Sequence, residues 1–154
     1  MFEELDVFFM EEALKEALLA YQEDEVPVGA VIVSPKGELL AKARNQMIKL
    51  KDPTAHAEIL AIRKACQKMG NYRLTNCKMY VTLEPCPMCA YAIVLARIKE
   101  VIFATSDEKT GACGSIYNIL QDKRLNHQVI LKQGLLREQA SKLLKEFFKQ
   151  KRTK

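Results

Sequence analysis

Two hydrophobic periods take turns along this chain. Over about residues 4–22, Leu5, Phe9, Ala13, Ala17 and Leu18 recur at helical spacing beneath an acidic outer face, which predicts an amphipathic helix. "VGAVIVS" (28–34) is a short, continuous, β-branched run and predicts a buried strand. "PKGE" (35–38) is a turn in which Gly37 supplies permissive dihedral angles, and "LLAKAR" (39–44) returns as the second strand of a hairpin. A polar loop over 45–53 ends at Pro53. Thr54 then caps a helix running to about Met69, and Gly70-Asn71 stops it. "KMYVTL" (78–83) predicts a third strand, followed by a helix from about Pro87 to Arg97 with proline in its first turn. "EVIFA" (100–104) is a fourth strand. A loop over 105–114 leads to an expected short helix from Ser115, and "HQVIL" (127–131) reads as a fifth strand. The last helix runs from about Leu135, with Ala140, Leu143, Leu144, Phe147 and Phe148 on its inner side.

That order implies an α/β fold, a three-layer α/β/α sandwich with a five-stranded mixed sheet. Its hairpin is antiparallel, and the strands after the crossover helices are parallel. No repeat, low-complexity tract or linker divides the chain, so residues 1–154 read as a single domain with a basic C-terminal helix.

Composition narrows the class. With 49% apolar and 28% charged residues the chain is globular rather than disordered. No apolar run approaches the roughly 18–20 residues that cross a bilayer, and no basic segment precedes an apolar one at the acidic N-terminus. A cytoplasmic protein is expected. In a reducing compartment its five cysteines serve as ligands, nucleophiles or core residues rather than disulfides. Charge is polarised: residues 1–25 hold nine acids and one lysine, and the remainder carries a net +13. Lys142, Lys145, Lys149, Lys151, Arg152 and Lys154 crowd the last 13 residues against Glu146 alone. Such an end is either an electrostatic handle for nucleic acid or a solvated tail.

The chemistry concentrates in "TAHAEI" (54–59) and "EPCPMC" (84–89). His56 begins one predicted helix, and Cys86 and Cys89 begin another, so both helix starts can meet at one end of the sheet. One imidazole and two thiolates form a borderline-soft set suited to zinc. Three protein ligands leave a fourth tetrahedral position open, the arrangement of catalytic rather than structural zinc. Helix N-termini also favour thiolates. Residues two apart on a helix diverge by roughly 200°. In the first turn, though, Glu58 can lean toward the same opening and move protons beside the metal without ligating it. Alone, a Cys-x-x-C is often redox or structural, and a His near a Glu is often only a satisfied side chain; the joint spacing is the informative feature. A structural zinc knuckle needs a fourth ligand, for which only His127 and Cys113 are candidates, at unfamiliar spacing.

The pattern H-x-E…P-C-x-x-C is that of the zinc-dependent nucleobase deaminases. Beyond it, the chain resembles the bacterial tRNA-specific adenosine deaminases. The matching stretches are "EVPVGAV" (25–31), Asn45 in "RNQ", "DPTAHAEI" (52–59), "NYRL" (71–74), "YVTLEPCPMCA" (80–90), "RI" (97–98), "DEKTGACGS" (107–115) and Asn126-His127. The resemblance implies one Zn2+ on His56, Cys86 and Cys89, with Glu58 as the catalytic proton shuttle. It implies a homodimer that converts adenosine to inosine at the first anticodon position of an arginine tRNA.

Asn45 would hydrogen-bond the flipped base, between walls of Val28 and Leu83. Asp107, His127, Phe147 and Phe148 would contact the tRNA anticodon loop. Asn45 also reads as a turn residue, and Phe147-Phe148 as core packing. Cys113 departs from the small alanines usual after Lys-Thr-Gly, while Cys66 and Cys77 read as core thiols. Three rival functions remain at this point. A free-base deaminase for guanine or cytosine does not require the Lys-Thr-Gly loop or the basic end. A non-catalytic RNA-binding module does not need Glu58, and a zinc-stabilised structural domain lacks its fourth ligand.

Overall fold

A computed structural model describes residues 2–152. Lys154, counted in the basic end, lies outside them. The elements run α1 (Glu4–Gln22), β1 (Gly29–Val33), β2 (Leu39–Arg44), α2 (Met47–Leu50), α3 (Ala57–Met69), β3 (Lys78–Leu83), α4 (Pro87–Ala96), β4 (Glu100–Thr105), β5 (Ile130–Gln133) and α5 (Arg137–Arg152). The strands form one five-stranded sheet in the order β2-β1-β3-β4-β5. β1 pairs antiparallel with β2 and β3; β3–β4 and β4–β5 are parallel. The three-layer mixed sheet expected from the alternating periods is therefore present.

Side-chain alternation divides the core. Ala30, Ile32, Met79, Val81, Val101 and Phe103 face α3 and α4. Val31, Val33, Tyr80, Ile102 and Ala104 face the other way, against Phe9, Met10 and Ala13 of α1 and Ala140 of α5. Strands buried on both faces read as continuous apolar runs, which is why β1 and β4 stand out in the sequence.

Several expected boundaries shift. On α1, Leu5 and Leu18 are exposed, at 61% and 46%; the buried stripe is Asp6, Phe9, Met10, Ala13, Glu16, Ala17 and Ala20. Small residues define this face because α1 lies directly on β1. A Cβ at Gly29 would collide with the Ala13 carbonyl and the Ala17 amide. The two buried acids are both partnered. Asp6 accepts from the Tyr80 hydroxyl at 2.6 Å and the Glu3 amide at 2.9 Å, and Glu16 meets Arg44 at 3.3 Å.

Thr54 does not cap α3. Its amide and hydroxyl bond Asp52 instead, and His56 occupies the N-cap in an extended conformation. The helix expected from Ser115 is absent: residues 106–129 form turns and one bridge, Cys113 to Asn118. The fifth strand starts at Ile130 rather than residue 127, because the Val129 amide is bonded to Leu120. On α5, Leu144 and Phe147 are buried, but Phe148 is 44% exposed.

Candidate zinc site and base pocket

The parallel strands β3 and β4 deliver their C-terminal ends to one edge of the sheet, and the starts of α3 and α4 meet there. His56 and Cys86 are both N-caps with extended backbone (ψ 153° and 174°), so neither side chain is committed to a helix face. Pro87, at the first position of α4, fixes the turn that presents Cys86 and Cys89 together. His56 Nδ1 lies 3.7 Å from Cys86 Sγ and 3.5 Å from Cys89 Sγ. All three donor atoms fall within 4.8 Å of one another. Zinc bonds of about 2.3 Å to sulfur and about 2.0 Å to nitrogen, at a tetrahedral angle, put nitrogen and sulfur about 3.5 Å apart. The donor set therefore fits tetrahedral zinc.

Burial and the hydrogen bonds among the three donors shift their titration. Hydrogen bonding from the Cys89 thiol, together with the His56 ring, brings the Cys86 thiol down to about 4 despite its burial. Cys89 is pushed up, first by that same bond and then by burial. His56 is raised by its bond to Cys86.

Glu58 follows in the first turn of α3 and is 4% exposed. Burial drives its carboxyl from the ordinary carboxylate range up to about 7, against the opposing pull of its own backbone amide and the His56 ring. Because His56 sits before the helix, the divergence of side chains two apart does not apply, and both reach the same opening.

That opening is a cavity of ≈ 150 Å3 walled by Val26, Val28, Met47 and Leu83, with His56, Glu58 and Cys86 at its base. Asn45 also lines it. The carboxamide oxygen of Asn45 accepts from the Ala57 amide at 2.7 Å, satisfying the first orphan donor of α3. Its NH2 group is then the donor available to a bound base. Glu25 has a role that sequence reasoning misses. It is 2% exposed, and its carboxylate accepts from the amides of Ile48 and Lys49, which holds α2 and hence Met47 at the rim. Nothing local marks such a contact, since Glu25 lies more than twenty residues from its partners.

The cavity opens into a groove of ≈ 990 Å3 between the 105–110 segment and α5; Val26, Leu83, Asp107 and Thr110 line both. Lys109, Arg137, Lys145, Lys151 and Arg152 outnumber Asp107 and Glu108 along it, and Phe148 lies on its wall. Two of the expected substrate contacts lie elsewhere. Phe147 is core, 5% exposed, against Tyr21 and Phe148. His127 bonds the Ile98 carbonyl at 2.7 Å, at the opposite end of β4, in a cavity with Arg73, Arg97 and Lys99. Asp107 lines the base pocket, but its carboxylate serves its own loop, accepting from the Lys109 amide and from the amide and hydroxyl of Thr110.

Three donors that fit zinc, a buried carboxylate beside them and a base-sized hollow lined by the same residues are the features of a zinc-dependent deaminase of the α/β/α type. Comparison with known proteins agrees. Residues 3–105 match the cytidine and deoxycytidylate deaminase zinc-binding region. A tRNA-specific adenosine deaminase of Aquifex aeolicus is 52% identical over 145 residues, 94% of this chain and 95% of the relative. A solved structure from a study of A-to-I editing by tRNA:A34 deaminases at the wobble position superposes with a TM-score of 0.86 at 42% identity, covering 89% of this chain and 99% of the other. The guanine deaminase of Bacillus subtilis is also 42% identical, but its TM-score is 0.62 and the match covers 69% of this chain and 66% of that one. The chain belongs to the cytidine and deoxycytidylate deaminase family and, within it, to the tRNA-specific adenosine deaminases. Its metal is zinc.

Proposed function

We propose that this protein hydrolytically deaminates adenosine to inosine at the wobble (first anticodon) position of tRNA. One observation carries the reading furthest: the base-sized cavity over the zinc ligands is continuous with a groove holding five cationic side chains. A free base fills the cavity and has no use for the groove; a base on a polynucleotide needs both. An anticodon loop suits the geometry because its bases are already unpaired, so extruding one costs less than opening a duplex.

His56, Cys86 and Cys89 hold zinc, which as a Lewis acid makes water nucleophilic near neutral pH. Glu58 is the proton shuttle. Buried beside the metal ligands, it can take one proton from the water that attacks C6 of adenine and pass it to ring N1, then take the second from the hydroxyl left on C6 and give it to the departing amine. Asn45 donates to the base edge between Val28 and Leu83. Asp107 shapes the loop that carries Lys109 and Thr110, and Phe148 offers a stacking face in the groove.

We read residues 1–154 as one deaminase domain that works as a cytoplasmic homodimer. Support for a second copy comes from α4, whose outer face exposes Met88, Tyr91 and Leu95 at one helical spacing, with relative exposures of 36%, 47% and 56%. His127 lies at the other end of β4 from the zinc ligands, beside Arg73, Arg97 and Lys99. Its charge environment supports contact with RNA held by the other copy. Among the described residues no helix is long and apolar enough to cross a membrane.

The test is ammonia release from an anticodon stem-loop, from free guanine and from free cytosine. Turnover of the stem-loop alone is expected; turnover of a free base alone would select the small-molecule reading.

A further inference from the structure

Glu84 directly follows β3, two residues before Cys86, and the zinc chemistry leaves it without a part. It is 2% exposed. Its Oε1 accepts from the Asp107 amide at 3.0 Å and the Ser115 hydroxyl at 2.5 Å. Its Oε2 accepts from the amides of Cys113 at 2.9 Å and Ser115 at 3.1 Å. A carboxylate offers roughly four lone-pair sites, so these donors use its full capacity. Glu84 is therefore not a second general base, and among the described residues no lysine or arginine forms an ion pair with it.

The surroundings enforce the contact. The Glu84 amide donates to the Thr105 carbonyl at 2.9 Å, and the Ala112 amide to Pro85 at 2.8 Å, so the strand end and the loop are bound on both sides of the carboxylate. A Cβ at Gly111 would collide with the Glu84 carboxylate, so the loop closes over Glu84 only with glycine there.

We propose that Glu84 is a positioning residue that keeps the 107–115 loop in register with the turn bearing Cys86, and so sets how well the groove receives a polynucleotide. The route is short. Glu84 holds the backbone of Asp107, and the Asp107 side chain holds Lys109 and Thr110 on the groove wall. The segment between β4 and β5 has no helix of its own to fix it, so its order depends on such buried, charge-assisted bonds. The kinetic consequence rests on the polynucleotide reading above; the structural one does not.

The experiment uses zinc-loaded parent, Glu84→Gln and Ser115→Ala. The amide of glutamine sets a donor against at least one backbone N–H, whereas Ser115→Ala removes one bond and leaves the carboxylate. Amide exchange at Asp107, Cys113 and Ser115 is expected to accelerate about tenfold or more in Glu84→Gln. The same change, but smaller, is expected in Ser115→Ala, with zinc content equal to the parent in both. KM for an anticodon stem-loop is expected to rise several-fold with kcat within about twofold, since the tether orients rather than reacts. Parent-like exchange at the three amides, zinc loss in both variants, or a fall in kcat at unchanged KM would overturn the proposal. If the parent does not act on the stem-loop, the polynucleotide reading fails, and the exchange measurement alone decides the tether.

Discussion

At the residue scale, metal ligand, proton shuttle and positioning group are separable by substitution. Glu58→Ala should retain one zinc per chain, measured by elemental analysis. Its deamination rate should fall by several orders of magnitude, because proton transfer accompanies both attack and departure. Asn45 has two duties, one to the base and one to α3. Asn45→Ala should therefore weaken turnover and also cost about 1–3 kcal/mol of stability, since the buried Ala57 amide loses its acceptor; a denaturant melt reads the second effect.

Asp6 sets an acid limit. Burial alone would raise its carboxyl, but the Tyr80 hydroxyl and the Glu3 amide overcome that and hold it below the usual range. A carboxyl lowered in the folded state adds stability above its unfolded value of about 3.9 and loses it as pH falls through the folded value. Asp6→Asn should thus lower Tm at neutral pH, and its gap to the parent should close below about pH 4. Residue chemistry is partly legible in the sequence. His56, Glu58, Cys86 and Cys89 declare themselves because donor type and short spacing coincide. Glu25 and Glu84 do not, because their partners lie more than twenty residues away and only the fold brings them together.

At the scale of elements, β1 and β4 are legible because a run buried on both faces is apolar throughout, and β2 because a turn with Gly37 returns the chain beside β1. The loop 106–129 is not. A helix from Ser115 would bond the Ile119 amide to the Ser115 carbonyl, whereas that amide goes back to the Ala112 carbonyl. The inner face of α1 departs from its expected stripe for a related reason: large residues mark a helix face only where there is room for them. Here α1 touches the backbone of β1, so alanines form the seam and Leu5 and Leu18 turn outward. Gly29→Ala should consequently lower stability by about 1–3 kcal/mol, with unchanged zinc affinity once folded. A variant with parental Tm would show that α1 shifts freely.

Seen whole, the molecule is electrically divided and partly self-neutralised. Arg44 draws in Glu16 and Glu23. Lys151 pairs with Asp24 at 2.5 Å and also lies over the Phe147 ring. Lys151 lines the groove but is thus also engaged within the fold, and Lys109, Arg137, Lys145 and Arg152 are the other cations on its wall. Removing residues 149–154 should weaken tRNA binding and flatten its salt dependence, by about 0.7–0.9 in slope for each phosphate no longer neutralised, with zinc content unchanged. Equal slopes in a salt titration would show that residues 149–154 neutralise no phosphate.

Zinc, Glu58 and the cationic groove are held to act together on one adenosine of a folded RNA. Sequencing a tRNA pool after incubation with the zinc-loaded protein, beside the Glu58→Ala variant, tests all three at once. Adenosine-to-inosine conversion confined to the first anticodon position is expected from the parent, and none from the variant. Conversion by both proteins, or none by the parent while free guanine or cytosine releases ammonia, would be incompatible with that joint action.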